Sequence, residues 1–239
     1  MAMPDYLKSI VFSVILCVVC SVLLTAASTG LQSYQQRNMA VDRQKNILLA
    51  LGILAEDQSA DAARIETLYR DNVKNLYVDH NGRIVPRGEH AADNLPLYTY
   101  VRDDTIQAYA VPIDTRGLWG QIHGYLAIDN DGVTIRGFTV YKHSETPGLG
   151  GEIESRWFRK NFEGKKIVDQ SGKFVSIGIA KGKVAEMVPD PRKPNYVDGI
   201  SGATLTGKFL TAGLKEILRD YEPVAIEFRH KETRYLRVE

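Results

Sequence analysis

The apolar positions divide the chain into an N-terminal uncharged run and a longer segment of alternating pattern. From Ile10 to Ser28 the sequence IVFSVILCVVCSVLLTAAS carries no charge, and roughly 20 such residues cross a bilayer as a helix. We therefore predict a short N-terminus over residues 1–9 and a transmembrane helix over residues 10–30. A cleaved signal peptide is the alternative, because Thr25-Ala26-Ala27 resembles a small-residue cleavage site. The run is longer than the usual signal-peptide core, which favours an uncleaved anchor.

Charges beside this run do not decide its orientation. Lys8 precedes it, whereas Arg37, Arg43 and Lys45 follow it. Since positive charges favour the cytoplasmic side, the two flanks nearly balance and charge alone leaves the orientation open.

Helical patterns follow the anchor. The segments QQRNMAVDRQKNILLALGIL and DAARIETLYRDNV place apolar residues at helical spacing, so residues 31–75 are predicted to form a helical linker and the start of a folded domain.

Strand-like alternation then extends over most of the remaining chain. Turn signals at Asn81-Gly82, Asp103-Asp104, Asp131-Gly132 and Lys181-Gly182 each separate two alternating runs, which predicts four hairpins. The segment TGKFLTAGLKEILRDY then has its apolar residues on one helical face. We predict an α+β fold, with a mainly antiparallel sheet and flanking helices over residues 76–225. Residues 226–239 are predicted to be a polar, solvated tail, either a short strand or disordered.

Composition adds few constraints. The chain has 239 residues, 44% hydrophobic, 25% charged, with a net charge of +1, so no electrostatic argument favours a nucleic-acid partner. Cys17 and Cys20 are its only cysteines. No βαβ pattern surrounds them, and we interpret them as small apolar residues of the membrane helix rather than a redox pair. The usual nucleotide-cradling motifs are absent from the sequence, so any NADH is expected to react elsewhere.

The first segment with candidate chemistry is HSETPGLGGE, residues 143–152. It is either an irregular loop or a surface on which a flat aromatic ring approaches backbone N–H groups, since glycines leave that approach open. The residues alone favour the plain loop. His143 and Glu145 resemble a metal pair but have no further ligands nearby in sequence, so we expect no metal there.

The second segment is DGISGATLTGKF, residues 198–209, directly before the predicted helix. Its hydroxyls suit a helix cap. The same helix start has unpaired N–H groups and the positive end of the helix dipole, which stabilise a phosphate. The residues alone favour capping, with a phosphate ester as the alternative.

These two segments, with GLWGQIHGYLAID and DRQKNILLALGIL, resemble the C subunit of the Na+-translocating NADH:quinone oxidoreductases over nearly the whole chain. The resemblance implies a single-span protein of the bacterial inner membrane with a periplasmic domain. It implies electron transfer within a complex that couples NADH oxidation and ubiquinone reduction to sodium export. The G subunit of the Rnf complex shares both motifs and is the near alternative, although GLGGE and GLWG favour the C subunit. The segment VAIEFRHKETRYLRVE has no match that we can assign.

The resemblance also implies a cofactor and a site. FMN is expected to be bound covalently through a phosphoester to Thr204, with a phosphate pocket formed by Ser201, Gly202, Ala203, Leu205 and Thr206. The isoalloxazine is expected against Glu145, Thr146, Pro147, Gly148, Leu149, Gly150 and Trp119. Ser201 and Thr206 are predicted to be structural hydroxyls.

Expected partners are the other membrane and peripheral subunits of the complex and a Mg2+-dependent flavin transferase that uses FAD. A function of a different class stays open at this point: a membrane-tethered binding module without flavin, in which SGATLT only caps a helix.

Overall fold

A computed structural model describes residues 4–86 and 88–230. The chain divides into two units, residues 1–42 and residues 43–239. The first unit is made of helix α1 (Asp5–Ala50), which continues into the second unit. An 18-residue window of α1 has a mean hydropathy of 2.8 and is wholly exposed, so its length and composition suit a membrane span. The span limits of 10–30 stay a prediction.

The second unit is built on one antiparallel sheet of six strands in the order β2-β1-β3-β4-β5-β6. The strands are β1 (Val73–Val78), β2 (Ile84–Pro86), β3 (Leu95–Arg102), β4 (Thr105–Arg116), β5 (Gln121–Asp129) and β6 (Ile135–Lys142). A second pair, β7 (Gly178–Ile179) and β8 (Tyr196–Val197), is parallel. The helices after α1 are α2 (Ala62–Asn72), α3 (Arg156–Lys160), α4 (Val184–Met187), α5 (Thr204–Asp220) and α6 (Glu222–Arg229), with 3-10 helices at Gly150–Glu154 and Asp190–Asn195.

The predicted α+β class is confirmed, and three of the four predicted hairpins form. These hairpins are β1–β2, β3–β4 and β5–β6, all antiparallel. Asp103 and Asp104 both have positive φ, 50° and 55°, as a two-residue turn between twisted strands requires. Gly82 and Gly132 likewise have positive φ in the other two turns.

The fourth hairpin, predicted across Lys181-Gly182, is wrong. Ile179 pairs in parallel with Val197 of β8 instead of with the residues just after the turn. Those residues begin the short helix α4, whose first N–H, that of Val184, donates to the Asp198 carboxylate at 2.7 Å. Alternation along one segment does not show that the partner strand lies about 15 residues beyond the turn.

Helix α5 packs against β4 and covers the sheet, with the predicted apolar face buried at Leu210, Leu214 and Leu218. The approach is close at Gly213, where an added Cβ would overlap the side chain of Thr115. The middle of α5 is thereby held against the end of β4.

The end of α1 within the second unit lies on strand β6. The Thr139 hydroxyl donates to the Asn46 carbonyl at 3.2 Å, and an added Cβ on Gly137 would lie 2.5 Å from the Ala50 carbonyl oxygen. Both sheet faces are therefore covered, and the loops at the strand ends are left for other roles.

The predicted polar tail begins too early. Residues 226–229 complete α6 instead, and Phe228 is fully buried with its ring stacked on Tyr109 at 4.5 Å between centroids. Val224 and Phe228 are four residues apart and both buried, but this short helical spacing at the end of the domain was not recognised in the sequence pattern. The remainder of the tail, residues 231–239, lies outside the described residues.

The contact of α5 with β4 gives a stability prediction. Gly213→Ala places a methyl group against Thr115 and should destabilise the fold by about 1–3 kcal/mol, as overpacking does. The melting temperature of the detergent-solubilised full chain should fall by ~3–10 °C. Lys215→Ala, an exposed change on the same helix, is the control and should shift it little. An unchanged melting temperature in Gly213→Ala would contradict the close packing described for α5.

Candidate functional site

Three separate segments meet at one end of the sheet. They are the turn between β4 and β5 (residues 117–120), the loop after β6 (residues 143–150) and the start of α5 (residues 200–206). Together they hold every site residue that the sequence predicts. Their contacts with one another define the candidate site.

The start of α5 is a tight turn without a side-chain cap. The Ala203 N–H donates to the Ile200 carbonyl at 3.1 Å, and Gly202 has a φ of 74°, the positive φ that a type II turn needs at its third position. Ala203 is the N-cap residue and makes no side-chain cap hydrogen bond. The predicted cap by a serine or threonine hydroxyl is therefore wrong. The N–H groups of the first helical turn receive no side-chain acceptor from this position.

The three hydroxyls of this segment lie in different surroundings. Ser201 and Thr204 are exposed, whereas Thr206 is only 1% exposed. Thr204 and Thr206 are two positions apart on a helix, which is about 200° of rotation. One hydroxyl therefore faces solvent while the other faces the interior, where it donates to Glu145 Oε2 at 2.5 Å.

The loop after β6 contains a second tight turn. Its Leu149 N–H donates to the Thr146 carbonyl at 3.1 Å, and Gly148 has a φ of 72°. Pro147 and Gly148 are the residues that a type II turn prefers at its two central positions. This turn contacts the one before α5, because an added Cβ on Gly202 would lie 2.7 Å from Leu149 Cδ2.

The side chain of Glu145 joins all three segments. It is 4% exposed, and its Oε1 accepts the Trp119 N–H at 3.0 Å while its Oε2 accepts the Thr206 hydroxyl. Burying a carboxylate costs several kcal/mol, and each hydrogen bond to a charged group returns about 1.5–3 kcal/mol. The positive end of α5 adds to this compensation, since Thr206 lies in its first turn. The Glu145 side chain therefore lies in the interior, and a contact of this residue with the flavin stays a prediction.

His143 supports the same loop from the other side. Its Nδ1 accepts the Glu145 N–H at 3.1 Å, and its Nε2 lies 3.2 Å from the Glu154 carboxylate. The His143 and Glu145 side chains thus serve different contacts instead of converging on an ion. Within residues 4–86 and 88–230, no group of three His, Cys, Asp or Glu residues is arranged to hold a metal.

Each of the three segments also carries an exposed apolar side chain. Trp119 is 70% exposed, and Leu149 and Leu205 are also exposed. Each belongs to a different one of the three segments. An exposed hydroxyl on a helix start, with apolar side chains on the joined loops, suits a ligand that has both a phosphate and a flat ring.

Two features of the site region were not predicted from the sequence. Gly117 leaves the space that Glu145 occupies, because a Cβ there would overlap Oε1. Asp198 caps α4 and Gly199 packs against Ala180, where an added Cβ would overlap the carbonyl oxygen. A glycine at the end of a strand is a weak signal of such a close approach.

Comparison with known proteins places the site within a described domain family. The model of the FMN-binding domain family matches residues 117–219. That range begins at the first segment of the site and ends within α5, so it includes all three segments.

Relatives extend the match over most of the chain. The C subunit of the Na(+)-translocating NADH-quinone reductase of Yersinia pestis is 35% identical over 227 residues, 83% of each chain. That of Neisseria meningitidis serogroup B is 33% identical over 217 residues, 80% of this chain and 81% of the relative. The crystal structure of the same reductase component from Parabacteroides distasonis superposes with a TM-score of 0.69 at 30% identity, covering 82% of this chain and 96% of that one. The structure of Shewanella oneidensis NqrC, at 22% identity and a TM-score of 0.60, supports the fold.

The space around Glu145 gives a prediction for the site. Gly150 has no positive φ, but a Cβ there would lie 2.6 Å from both Glu145 Oε2 and Thr206 Oγ1. Gly150→Ala should therefore separate this buried pair and destabilise the fold by about 1–3 kcal/mol, measured as a lower melting temperature. Gly88→Ala, where nothing lies within 4 Å, is the matched control. Equal melting temperatures for the two variants would show that the pair tolerates displacement.

Proposed function

The chain belongs to the family of C subunits of the Na+-translocating NADH-quinone reductases, and we propose that it carries FMN covalently on Thr204. Family membership makes it a membrane-anchored flavoprotein subunit of an oxidoreductase complex, with other subunits as its partners. The resemblance to this family that the sequence motifs indicate is thereby confirmed.

The observation that carries the proposal is the exposed hydroxyl of Thr204 at the first residue of α5. A hydroxyl that accepts a flavin phosphate must be reachable as a nucleophile. Thr206 fits that role poorly, because it is buried and its hydroxyl already donates to Glu145. The helix start also suits the phosphate electrostatically, since Ala203 supplies no side-chain acceptor to its N–H groups.

The remaining site residues divide into two groups. Ser201, Gly202, Ala203 and Leu205 surround the proposed phosphate position along the chain. The isoalloxazine would lie against the exposed surface of the loop after β6 and the turn before β5, which offers Thr146, Pro147, Gly148, Leu149 and Trp119. Bound FMN supplies the redox chemistry, and the chain supplies binding and orientation.

Attachment requires a separate enzyme in this proposal. A flavin transferase would use FAD, so that the Thr204 oxygen bonds to the FMN phosphorus, AMP leaves and the hydroxyl proton is released. The sequence itself contains no P-loop motif for a nucleotide. In this proposal the chain without flavin is the acceptor substrate of that flavin transferase.

The role in the complex follows from the family. We propose that the flavin passes electrons between carriers of a complex that couples NADH oxidation and ubiquinone reduction to sodium export. The anchor would lie in the bacterial inner membrane, with the residues after about position 31 in the periplasm. Family membership supports this orientation where the flanking charges do not decide it.

The attachment site is tested by isosteric removal of the hydroxyl. Thr204→Val should fold and carry no covalent FMN when it is coexpressed with a flavin transferase, because nothing else supplies the nucleophile. The measurement is mass spectrometry of the tryptic peptide that contains residues 194–208, after denaturation.

Ser201→Ala and Thr206→Val are the controls. Both should retain covalent FMN, with a reduced yield in Thr206→Val because its contact with Glu145 is lost. FMN mapped to Ser201 or Thr206, or covalent flavin that persists in Thr204→Val, would disprove the assignment. A colourless denatured wild-type protein would favour the binding module without flavin.

Protease accessibility tests the proposed topology. Protease added to intact spheroplasts should digest residues 43–239, whereas inverted membrane vesicles should protect them. Digestion of a cytoplasmic marker protein would reveal broken spheroplasts and serves as the control. Protection in spheroplasts with digestion in inverted vesicles would place the domain in the cytoplasm.

A further inference from the structure

The contacts of Glu145 bear on Thr204, which lies two residues before its hydrogen-bond partner Thr206. Each oxygen of the buried carboxylate accepts a hydrogen bond from a different segment, the Trp119 N–H on Oε1 and the Thr206 hydroxyl on Oε2. A third segment, the loop after β6, contributes the carboxylate itself. One side chain thus ties together the three parts of the site.

Two glycines leave the space for this arrangement. An added Cβ on Gly117 would overlap Oε1, and one on Gly150 would lie 2.6 Å from Oε2. Neither glycine has a positive φ, so their backbone conformations do not demand glycine. Space for the carboxylate is therefore the physical reason for glycine at both positions.

The loop that carries Glu145 is itself held from outside. The Glu145 N–H donates to His143 Nδ1, and the opposite ring nitrogen lies 3.2 Å from the Glu154 carboxylate. Glu145 is consequently held at its backbone N–H and at both carboxylate oxygens. Because Glu145 is held at all three points, it can fix the positions of Trp119 and Thr206.

The geometry points to Glu145 as the positioning residue of the acceptor threonine. By holding the Thr206 hydroxyl inside, it fixes the rotation of the first turn of α5, and a helix then directs Thr204 about 200° away, toward solvent. By holding the Trp119 N–H, it fixes the opposite edge of the site relative to that hydroxyl. It also occupies the Thr206 hydroxyl, so that Thr204 is the threonine left for attachment. This inference rests on the proposed attachment at Thr204.

Two pairs of substitutions, at Glu145 and at Thr206, test whether their hydrogen bond positions Thr204. Glu145→Met removes both acceptors while it keeps a similar length. Glu145→Gln keeps one acceptor for Trp119 and offers its NH2 to the Thr206 oxygen, so it should restore most of the arrangement. At the partner position, Thr206→Val removes the hydroxyl and Thr206→Ser retains it.

Two readouts on the purified full-length apo chain test the inference. The first is amide hydrogen exchange of peptides that span residues 118–121, which requires no flavin. Glu145→Met should raise exchange at Trp119 about tenfold or more, as loss of a hydrogen bond to a charged group does. Thr206→Val should leave that amide protected, because its own acceptor, Oε1, remains.

The second readout is the initial rate of covalent flavin attachment by a flavin transferase with FAD and Mg2+, per folded chain. Glu145→Met and Thr206→Val should each slow attachment about tenfold or more. Glu145→Gln and Thr206→Ser should stay within roughly threefold of wild type, since they preserve hydrogen bonding. Phe228→Leu should lower stability by opening a gap in the core beside Tyr109, outside the three site segments. It should keep the wild-type rate and controls for destabilisation alone.

Wild-type attachment rates in both Glu145→Met and Thr206→Val would overturn the inference, as would an equal slowing in Phe228→Leu. If Glu145→Met does not fold, the contrast between Thr206→Val and Thr206→Ser decides. Failure of the proposed function is distinguishable, because covalent flavin would then be absent from wild type or present in Thr204→Val. In that case normal exchange at Trp119 in Glu145→Met would still reject the role of the carboxylate, and increased exchange would retain it as the group that joins the segments.

Discussion

The buried carboxylate of Glu145 is the constraint on which the arrangement of the site depends. A charge at 4% exposure is tolerated only when its hydrogen bonds are satisfied, and the partners come from two other segments of the chain. Moving any one segment would leave a charge, an amide or a hydroxyl unpaired. The three segments at this end of the sheet are therefore held in one arrangement, although each contains glycine, which permits other backbone conformations.

The rest of the fold provides fixed supports for that carboxylate. Helix α5 lies close to β4 at Gly213, so its first turn cannot slide along the sheet. The turn before β5 and the loop after β6 start from strands that pair along most of their length. The strands and α5 thus bring the three segments to one point. A helix start fixed in this way presents Thr204 outward and Thr206 inward. An attachment site needs such an outward hydroxyl.

Sequence reasoning succeeded where the signal is local. Paired residues such as Asp103-Asp104 allow turns at positive φ, and the spacing of Leu210, Leu214 and Leu218 gives a buried helical face. It failed where the partner is distant: Ile179 pairs with Val197, and Phe228 stacks on Tyr109. The expected hydroxyl cap also failed, because the turn before α5 places Ala203 at the cap position. The inward direction of Glu145 has no local signal, since its partners Trp119 and Thr206 are 26 and 61 residues away.

The central claim is that this chain carries one FMN in covalent linkage through its α5 start. The most direct measurement is the intact mass of the native, membrane-extracted protein under denaturing conditions. The account predicts a single species heavier than the bare chain by one FMN phosphoester, with visible flavin absorbance that coelutes with the denatured chain. A mass equal to the unmodified sequence, with flavin absent or released on denaturation, would contradict it.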